Sequence, residues 1–241
     1  MIYIQKNEQN MPHHFDASCA MYGAIEQGKK YKLTSYEDID SGKYDNLIID
    51  NVFVGSVEFM RNVFSRVGLY DVRFPINNED KTTLITLGEA LDISKIKKIF
   101  IKPYIIKQFS GLVLDGFRYS CLNDIPLDTM VFVYDIWEDS VISEHRIYVH
   151  NGNIKGIHEI INNDYTVTFN DRVIDFIYRI IEKNMKMYPN NLTYSFDIAL
   201  FKNMCKVIEY NDFWSLGNYG LDNNTYLFLL SERYKEIMKN I

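Results

Sequence analysis

Three oxygen-bearing side chains near the end of the sequence have the types and spacing of a metal site. Asp197 lies on one run that alternates polar and apolar residues, and Glu209 and Asn211 lie on the next. Such alternation is typical of β-strands, and the two successive runs predict a hairpin. If residues 202–204 form the turn, Asp197 lies directly opposite Glu209 and on the same face of the hairpin as Asn211.

Two carboxylates in directly opposed positions repel each other, and a bound divalent cation removes this cost. Ligands that are all oxygen atoms favour Mg²⁺ or Mn²⁺, and proteins usually hold Mg²⁺ through one or two carboxylates together with substrate phosphates. The pattern therefore predicts a Mg²⁺–nucleotide site at Asp197, Glu209 and Asn211. The alternative is a solvated polar face, which antiparallel hairpins commonly carry.

Basic residues elsewhere in the sequence can supply the phosphate-binding half of such a site. Lys102 and Lys107 flank a short apolar segment at the end of a predicted strand, where a lysine can hold a phosphate as a point charge. Glu144 and Arg146 lie two residues apart and so share one face of another predicted strand. Arg146 either meets a phosphate while Glu144 orients it, or forms a plain ion pair with Glu144. The alternative for the lysines is an ordinary place on the surface.

Two further segments have compositions that suit ligand binding. Asp135, Ile136 and Trp137 follow an apolar strand, where backbone groups and apolar walls can hold a flat heterocycle. The segment 214–221 combines glycines with large side chains, and it is either a loop that closes over a substrate or a packed connector to the last helix. The sequence contains no Ser/His/Asp constellation, no P-loop and no dinucleotide-binding fingerprint.

Composition and charge restrict the classes of protein. The chain has 241 residues, of which 47% are hydrophobic and 24% charged, and a net charge of −6. This net charge argues against non-specific binding to nucleic acid or to anionic membranes, since both require a basic surface. No apolar stretch approaches membrane-spanning length, and the three scattered cysteines are typical of free thiols in a reducing compartment. We therefore expect a cytoplasmic protein without nucleic-acid or membrane partners.

The elements that position these residues fall into two groups. Residues 1–68 alternate short apolar strands, one of them at 46–49, with helices, which is typical of a small parallel α/β domain. Strands and hairpins dominate the remainder, together with an amphipathic helix at 172–187 and a final helix, which is an α+β pattern. We therefore predict two domains, 1–80 and 81–241.

Taken in order, these segments resemble the ATP-grasp superfamily, and in particular its small phage-associated clade with two lysines after one strand. The resemblance spans roughly residues 50–221. It rests on the segments 54–59, 100–111, 143–152 and 209–217, together with Asp197. It implies an N-terminal α/β domain of the pre-ATP-grasp type, followed by an ATP-grasp fold with antiparallel sheets and flanking helices.

The resemblance also implies that ATP is bound between two α+β lobes. The residues implied in the ATP site are Lys102, Lys107, Asp135, Ile136, Trp137, Glu144 and Arg146. Of these, Arg146 and Lys107 act in catalysis, and residues 135–137 lie against adenine largely through their backbone. The implied ligands of Mg²⁺, or of Mn²⁺, are Asp197, Glu209 and Asn211.

The chemistry implied by the resemblance is carbon–nitrogen ligation. A carboxylate is activated to an acyl phosphate and is then attacked by an amine, with catalysis by positioning and charge neutralisation. The expected partners are ATP and an unidentified carboxylate and amine, a class that extends to peptides and proteins. One alternative is a binding module, such as a phage or host-interaction factor, that keeps the fold but has little or no activity. Another is kinase-like transfer of a phosphoryl group from ATP.

Overall fold

The structure is a computed structural model that describes residues 1–72, 83–104, 108–117, 119–136, 140–162, 170–239 and 241. The strands are β1 (Ile2–Gln5), β2 (Tyr31–Thr34), β3 (Val52–Val54), β4 (Thr83–Thr86), β5 (Ile99–Pro103), β6 (Leu112–Leu114), β7 (Met130–Asp135), β8 (Ser143–His150), β9 (Asn153–Asn162), β10 (Thr193–Leu200) and β11 (Cys205–Asp212). The α-helices are α1 (Phe15–Glu26), α2 (Tyr36–Asp40), α3 (Val57–Ser65), α4 (Leu87–Ser94), α5 (Asp171–Met187) and α6 (Asn223–Met238).

The chain divides into two compact units. Unit 1 comprises residues 1–75 and 141–241, and unit 2 comprises residues 76–140. The domain boundary that the sequence predicts at residue 80 lies outside the described residues, so the division into 1–80 and 81–241 stays a prediction. Within the described residues, every helix is too short or too polar to cross a lipid bilayer.

Unit 1 begins with a three-stranded parallel sheet in the order β2-β1-β3, which confirms the predicted parallel α/β arrangement. Strands of a parallel sheet are buried on both faces, and β1 shows this clearly. Ile4 packs in the same core as residues of α1, whereas Tyr3 packs with residues of α3. The helix α3 begins at Ser56, whose hydroxyl group accepts a hydrogen bond from the backbone N–H of Phe59.

One predicted strand of this region is wrong. Residues Asp45–Leu47 form a short 3₁₀ helix, and the next residue, Ile48, is fully buried. A short apolar run shows that a segment is buried, but its periodicity does not distinguish a strand from a helical turn. Ile48 is buried because it packs against Tyr44 and Phe53 in the core, without pairing in the sheet.

The second sheet of unit 1 is antiparallel, with strand order β11-β10-β8-β9. One face packs against α5, which confirms the predicted amphipathic helix. This core is formed by alternate residues of β8 and β10 and by one stripe of α5, namely Ile147, Val149, Tyr194, Phe196, Ile198, Leu200, Val173, Ile177, Ile180 and Ile181. The residues between them on β8 and β10 face the other way, and this opposite face is mostly polar. The alternation therefore positions Arg146 and Asp197.

Unit 2 contains an antiparallel sheet in the order β4-β7-β5-β6. Its helix, α4, begins with a capping box in which Thr86 and Glu89 satisfy each other's backbone N–H groups. Buried residues of α4, such as Leu87 and Ala90, pack with Ile99 of β5 and complete the core of this unit. The antiparallel sheets of both units agree with the predicted ATP-grasp type of fold.

The packing of α5 leads to a stability prediction. Ile177 is fully buried against the sheet, whereas the next residue, Tyr178, is 46% exposed. We expect Ile177→Ala to lower the free energy of unfolding in urea by about 2–5 kcal/mol, because it removes buried methyl groups and leaves a cavity. Tyr178→Ala is the control, with an expected change below about 1 kcal/mol. Equal losses for the two variants would contradict this packing.

Candidate nucleotide and metal site

The structure confirms the predicted pairing of the hairpin β10–β11. Asp197 lies opposite Glu209, and Ser195 lies opposite Asn211. The predicted three-residue turn is wrong by one residue, since the backbone N–H of Phe201 bonds the carbonyl oxygen of Met204 and leaves two residues in the turn.

A β-bulge compensates for the shorter turn. The residue opposite Asp197 is Glu209, but the residue opposite Ile198 is Val207, so Ile208 is an extra residue on β11. A bulge of this kind bends the strand and re-aims the side chains beside it, and bulges are enriched next to active sites. The bulge brings Glu209 opposite Asp197 despite the two-residue turn.

Three charged residues and a histidine form a row, here called the charged row, across the polar face of this sheet. From β11 to β9 the row contains Glu209, Asp197, Arg146 and His158, each paired with the next across neighbouring strands. Side chains of directly paired residues lie on the same face of a sheet. The fold therefore brings Arg146 to the predicted metal ligands, although 51 residues separate Arg146 and Asp197 along the chain.

The centre of this row is a buried ion pair. The Nε and Nη2 atoms of Arg146 donate to the two carboxylate oxygens of Asp197, both at 2.7 Å. Arg146 is 6% exposed and Asp197 is 4% exposed. Burial lowers the pKa of Arg146, but the hydrogen bonds and charge of Asp197 outweigh it and raise the pKa above its ordinary value. Burial raises the pKa of Asp197 to about 6 against the lowering effect of Arg146, so both groups are charged at neutral pH.

Glu209 and Asn211 lie at the more open end of the row. Glu209 Oε1 is 3.8 Å from Arg146 Nη2 and accepts a hydrogen bond of 3.3 Å from Asn211 Nδ2. The Glu209 side chain is 35% exposed, in contrast to the buried Asp197. This arrangement leaves Glu209 accessible to an incoming cation.

The donor set fits Mg²⁺ in its chemistry. Asp197 and Glu209 supply carboxylate oxygens and Asn211 an amide oxygen, and Mg²⁺ prefers oxygen ligands. Each oxygen of Asp197 accepts one hydrogen bond from Arg146, and a carboxylate oxygen has a second lone pair that can bind a metal. In the part of the chain that is described, no group of three His, Cys, Asp or Glu residues could hold a metal ion. A site here therefore depends on these two carboxylates, on Asn211 and on oxygens of a bound ligand.

Several buried polar atoms beside the ion pair have no hydrogen-bond partner among the described residues. They are Nη1 of Arg146 and the hydroxyl groups of Tyr148 and Ser195. Ser195 and Tyr148 pair directly across β10 and β8, two residues along from Asp197 and Arg146. Burial raises the pKa of Tyr148, so its hydroxyl group stays protonated at neutral pH. A buried polar atom without a partner is costly, and a cluster of them at one place is typical of a functional site.

The sequence patterns do not single out Tyr148, although a signal for it exists. Tyr148 lies two residues after Arg146 on the same strand, so the period of two puts both side chains on one face. For Ser195 the pattern predicts the position opposite Asn211 but no role. Both residues are fully buried, and burial of a polar side chain cannot be read from alternation alone.

Three of the predicted phosphate and adenine residues, Lys102, Asp135 and Ile136, lie in unit 2. Lys102 is half-buried on β5, with its Nζ atom 5.8 Å from the ring centre of Phe100. Asp135 ends β7 and forms a 2.7 Å ion pair with Lys97, and the next residue, Ile136, is 36% exposed. Asp135 pairs with Ile99, three residues before Lys102, which separates the two positions by about 10 Å along β5. Lys107 and Trp137 lie outside the described residues.

Two further predicted parts of the site, Glu144 and the segment 214–221, lie in unit 1. Glu144 is half-buried on β8, two residues before Arg146, whose short hydrogen bonds go to Asp197. Trp214 packs into the core and donates its indole N–H to the carbonyl oxygen of Val72, so the segment begins as a packed connector.

The buried ion pair leads to a second stability prediction. We expect Asp197→Asn to lower the free energy of unfolding by about 3–5 kcal/mol, because Arg146 keeps its charge without a buried counter-ion. Glu209→Gln removes a charge from the same row at a more exposed position and should cost less than about 1 kcal/mol. Urea unfolding at pH 7 measures both. An Asp197→Asn variant as stable as the unmodified protein would show that the pair is not held as described.

Solved structures with a similar fold cover nearly the whole chain. D-cycloserine synthetase has a TM-score of 0.60 at 11% identity, covering 97% of this chain and 99% of its own. The D-alanine–D-alanine ligase of Bacillus anthracis, complexed with ATP, has a TM-score of 0.56 at 10% identity, covering 99% and 98%. A RimK domain ATP-grasp protein of Sphaerobacter thermophilus has a TM-score of 0.55 at 12% identity, covering 95% and 99%. At these identities the similarity shows the fold alone.

Sequence comparison gives the family. A comparison with curated proteins finds no match. The family described as an ATP-grasp domain, R-2K clade family 2, matches residues 78–229, which is more than half of the chain. The matched segment contains Lys102 and the whole charged row from Arg146 to Glu209. This chain belongs to the ATP-grasp superfamily, in family 2 of its R-2K clade.

Proposed function

We propose that this protein is an ATP- and Mg²⁺-dependent ligase that joins a carboxylate to an amine through an acyl phosphate. The observation that carries the proposal is the row of Glu209, Asp197 and Arg146 on one sheet face, within the segment that matches the ATP-grasp family. Two carboxylates beside an arginine supply both signs of charge that a bound nucleotide phosphate and its cation require.

The residues have distinct roles in this proposal. Lys102, and Lys107 from outside the described residues, bind phosphate oxygens as point charges. Residues Asp135 to Trp137 bind adenine, and Glu144 lies beside Arg146 in the ATP site. These roles follow the family resemblance, and ATP binding itself agrees with the ATP complex of the structurally similar D-alanine–D-alanine ligase.

The metal ligands and Arg146 act on the phosphate groups. Asp197, Glu209 and Asn211 would hold Mg²⁺, or Mn²⁺, which supplies charge neutralisation at the phosphate oxygens of ATP. Arg146 keeps its positive charge at all physiological pH values and has one nitrogen, Nη1, without a described partner. We assign that nitrogen to the transferring phosphoryl group, where a preorganised cation stabilises the transition state.

The chemistry requires no enzyme nucleophile. A carboxylate oxygen of the substrate attacks the γ-phosphorus of ATP, ADP leaves, and an acyl phosphate forms. The nitrogen of the amine then attacks the acyl carbon, inorganic phosphate leaves, and the nitrogen loses a proton to solvent as the amide forms. The names of the structural relatives, two of which are a synthetase and a ligase, agree with this class of reaction. We further propose that the substrates include peptides and proteins. We also propose that the protein is associated with phage and acts in the cytoplasm.

Product analysis tests the reaction class. The purified chain is incubated with ATP, MgCl₂ and a mixture of amino acids and short peptides, and phosphate release is followed together with the masses of the products. We expect free phosphate and a product whose mass is the sum of the masses of the two substrates minus that of one water. Phosphate attached to a product without condensation would indicate phosphoryl transfer instead. Failure to bind ATP at all would overturn the proposal.

The metal site is tested separately. We expect Glu209→Gln to raise the MgCl₂ concentration needed for half-maximal binding of a fluorescent ATP analogue by more than about tenfold, a loss typical even for residues next to metal ligands. Glu182→Gln, an exposed position on α5, is the matched control and should leave this concentration unchanged. An unchanged value for Glu209→Gln would remove Glu209 from the proposed ligands.

A further inference from the structure

The loop that follows the hairpin β10–β11 is hydrogen-bonded at two places to the N-terminal part of unit 1. The backbone N–H of Asn218 donates to Oδ1 of Asp16, at the start of α1, at 2.8 Å. The hydroxyl group of Ser215 donates to the carbonyl oxygen of Gly55, just after β3, also at 2.8 Å. These bonds hold the loop at two places directly before its exposed tip.

Tyr219, at this tip, covers the buried arginine of the charged row. The guanidinium carbon of Arg146 lies 4.4 Å from the centre of the Tyr219 ring, within the range of a cation–π interaction. The tyrosine itself is 50% exposed, whereas the arginine is 6% exposed. The ring therefore lies between solvent and one face of the guanidinium group.

The backbone of this loop is specialised to hold the ring there. Tyr219 has a φ of 33°, a left-handed conformation that is rare for a large side chain. Such conformations persist where the surroundings fix them, and they concentrate at functional sites. On one side, a Cβ atom at Gly217 would come within 2.8 Å of the Tyr219 ring. On the other side, a Cβ atom at Gly220 would come within 2.8 Å of the His158 imidazole.

These contacts limit what the guanidinium group can do. The Nε and Nη2 atoms of Arg146 donate hydrogen bonds to Asp197, and the Tyr219 ring covers one face of the guanidinium group. Nη1 is the nitrogen left without a partner among the described residues. A guanidinium group held at two nitrogens and one face cannot rotate, so its remaining N–H groups point in a fixed direction.

We propose that Tyr219 is a positioning residue for Arg146. Its ring fixes the plane of the guanidinium group and keeps water from one face of it, so that the buried Nη1 is held in one direction for its role in the proposed reaction. This inference rests on the proposed function for its catalytic consequence, but the contact itself is testable without any substrate.

Arginine modification tests the contact directly. The protein is treated with phenylglyoxal, and the modification rate of each arginine is measured by peptide mass spectrometry. We expect Tyr219→Leu to raise the rate at Arg146 on the order of tenfold, the loss of a contact of about 1.4 kcal/mol, while Tyr219→Phe keeps the protection. Gly217→Ala, which displaces the ring without changing it, should also raise the rate. Arg233, buried in its own ion pair with Asp212, is the internal control and should not change.

Steady-state kinetics of ATP turnover test the consequence. We expect Tyr219→Leu to lower kcat on the order of tenfold with little change in the KM for ATP, because the arginine acts on the transition state rather than on ATP binding. Tyr219→Phe should restore most of kcat. Tyr178→Leu, at an exposed tyrosine on α5, is the matched control and should leave kcat unchanged.

The possible outcomes separate this inference from the proposed function. An Arg146 modification rate unchanged in Tyr219→Leu, or equally raised in Tyr219→Phe, would overturn the positioning role of the ring. So would a normal kcat in Tyr219→Leu. Absence of ATP turnover in the unmodified protein would instead overturn the proposed function, and the modification rates would still decide whether Tyr219 positions Arg146.

Discussion

The buried ion pair between Arg146 and Asp197 is the interaction on which the rest of the site depends. Two opposite charges removed from water are costly unless their geometry is nearly ideal, and here two parallel hydrogen bonds of 2.7 Å provide that geometry. The pair requires β8 and β10 to be neighbours in one register. It also requires cover on the face of the sheet opposite α5, where the Tyr219 ring lies over the guanidinium group. The stability of the sheet and the proposed chemistry of the site therefore depend on the same contacts.

This dependence explains why the polar face is so crowded. Every residue of β10 is buried, so both its apolar and its polar side chains are covered by protein. Ser195 and Asp197 are enclosed almost as completely as Phe196 between them. A strand of this kind holds its polar groups rigidly, which is what the proposed chemistry of preorganised charge requires.

Much of this arrangement could be predicted from the sequence, for physical reasons. Alternation with a period of two predicts which residues share a face. The pairing of Asp197 with Glu209 was predicted from a three-residue turn, and it holds because the bulge compensates for the shorter turn. The partner of Arg146 could not be obtained in this way, because its pairing with Asp197 depends on the order of strands in the sheet. The burial of the polar side chains also could not be predicted, since it depends on what covers that face of the sheet. The composition of the segment 214–221 pointed to this loop but not to Tyr219 within it. The rare backbone conformation of Tyr219 and its contact with Arg146, 73 positions earlier, cannot be seen in the local sequence.

The bulge at Ile208 has a consequence for how this hairpin can change over evolutionary time. The tip and the bulge each displace the pairing by one residue, in opposite directions. As long as the tip keeps a two-residue turn, a one-residue insertion there would move Glu209 away from Asp197, and loss of the bulged residue would restore the pairing. Under that constraint, changes of length at the two places are coupled. Paired changes of length at the tip and at the bulge can therefore leave the two carboxylates opposed.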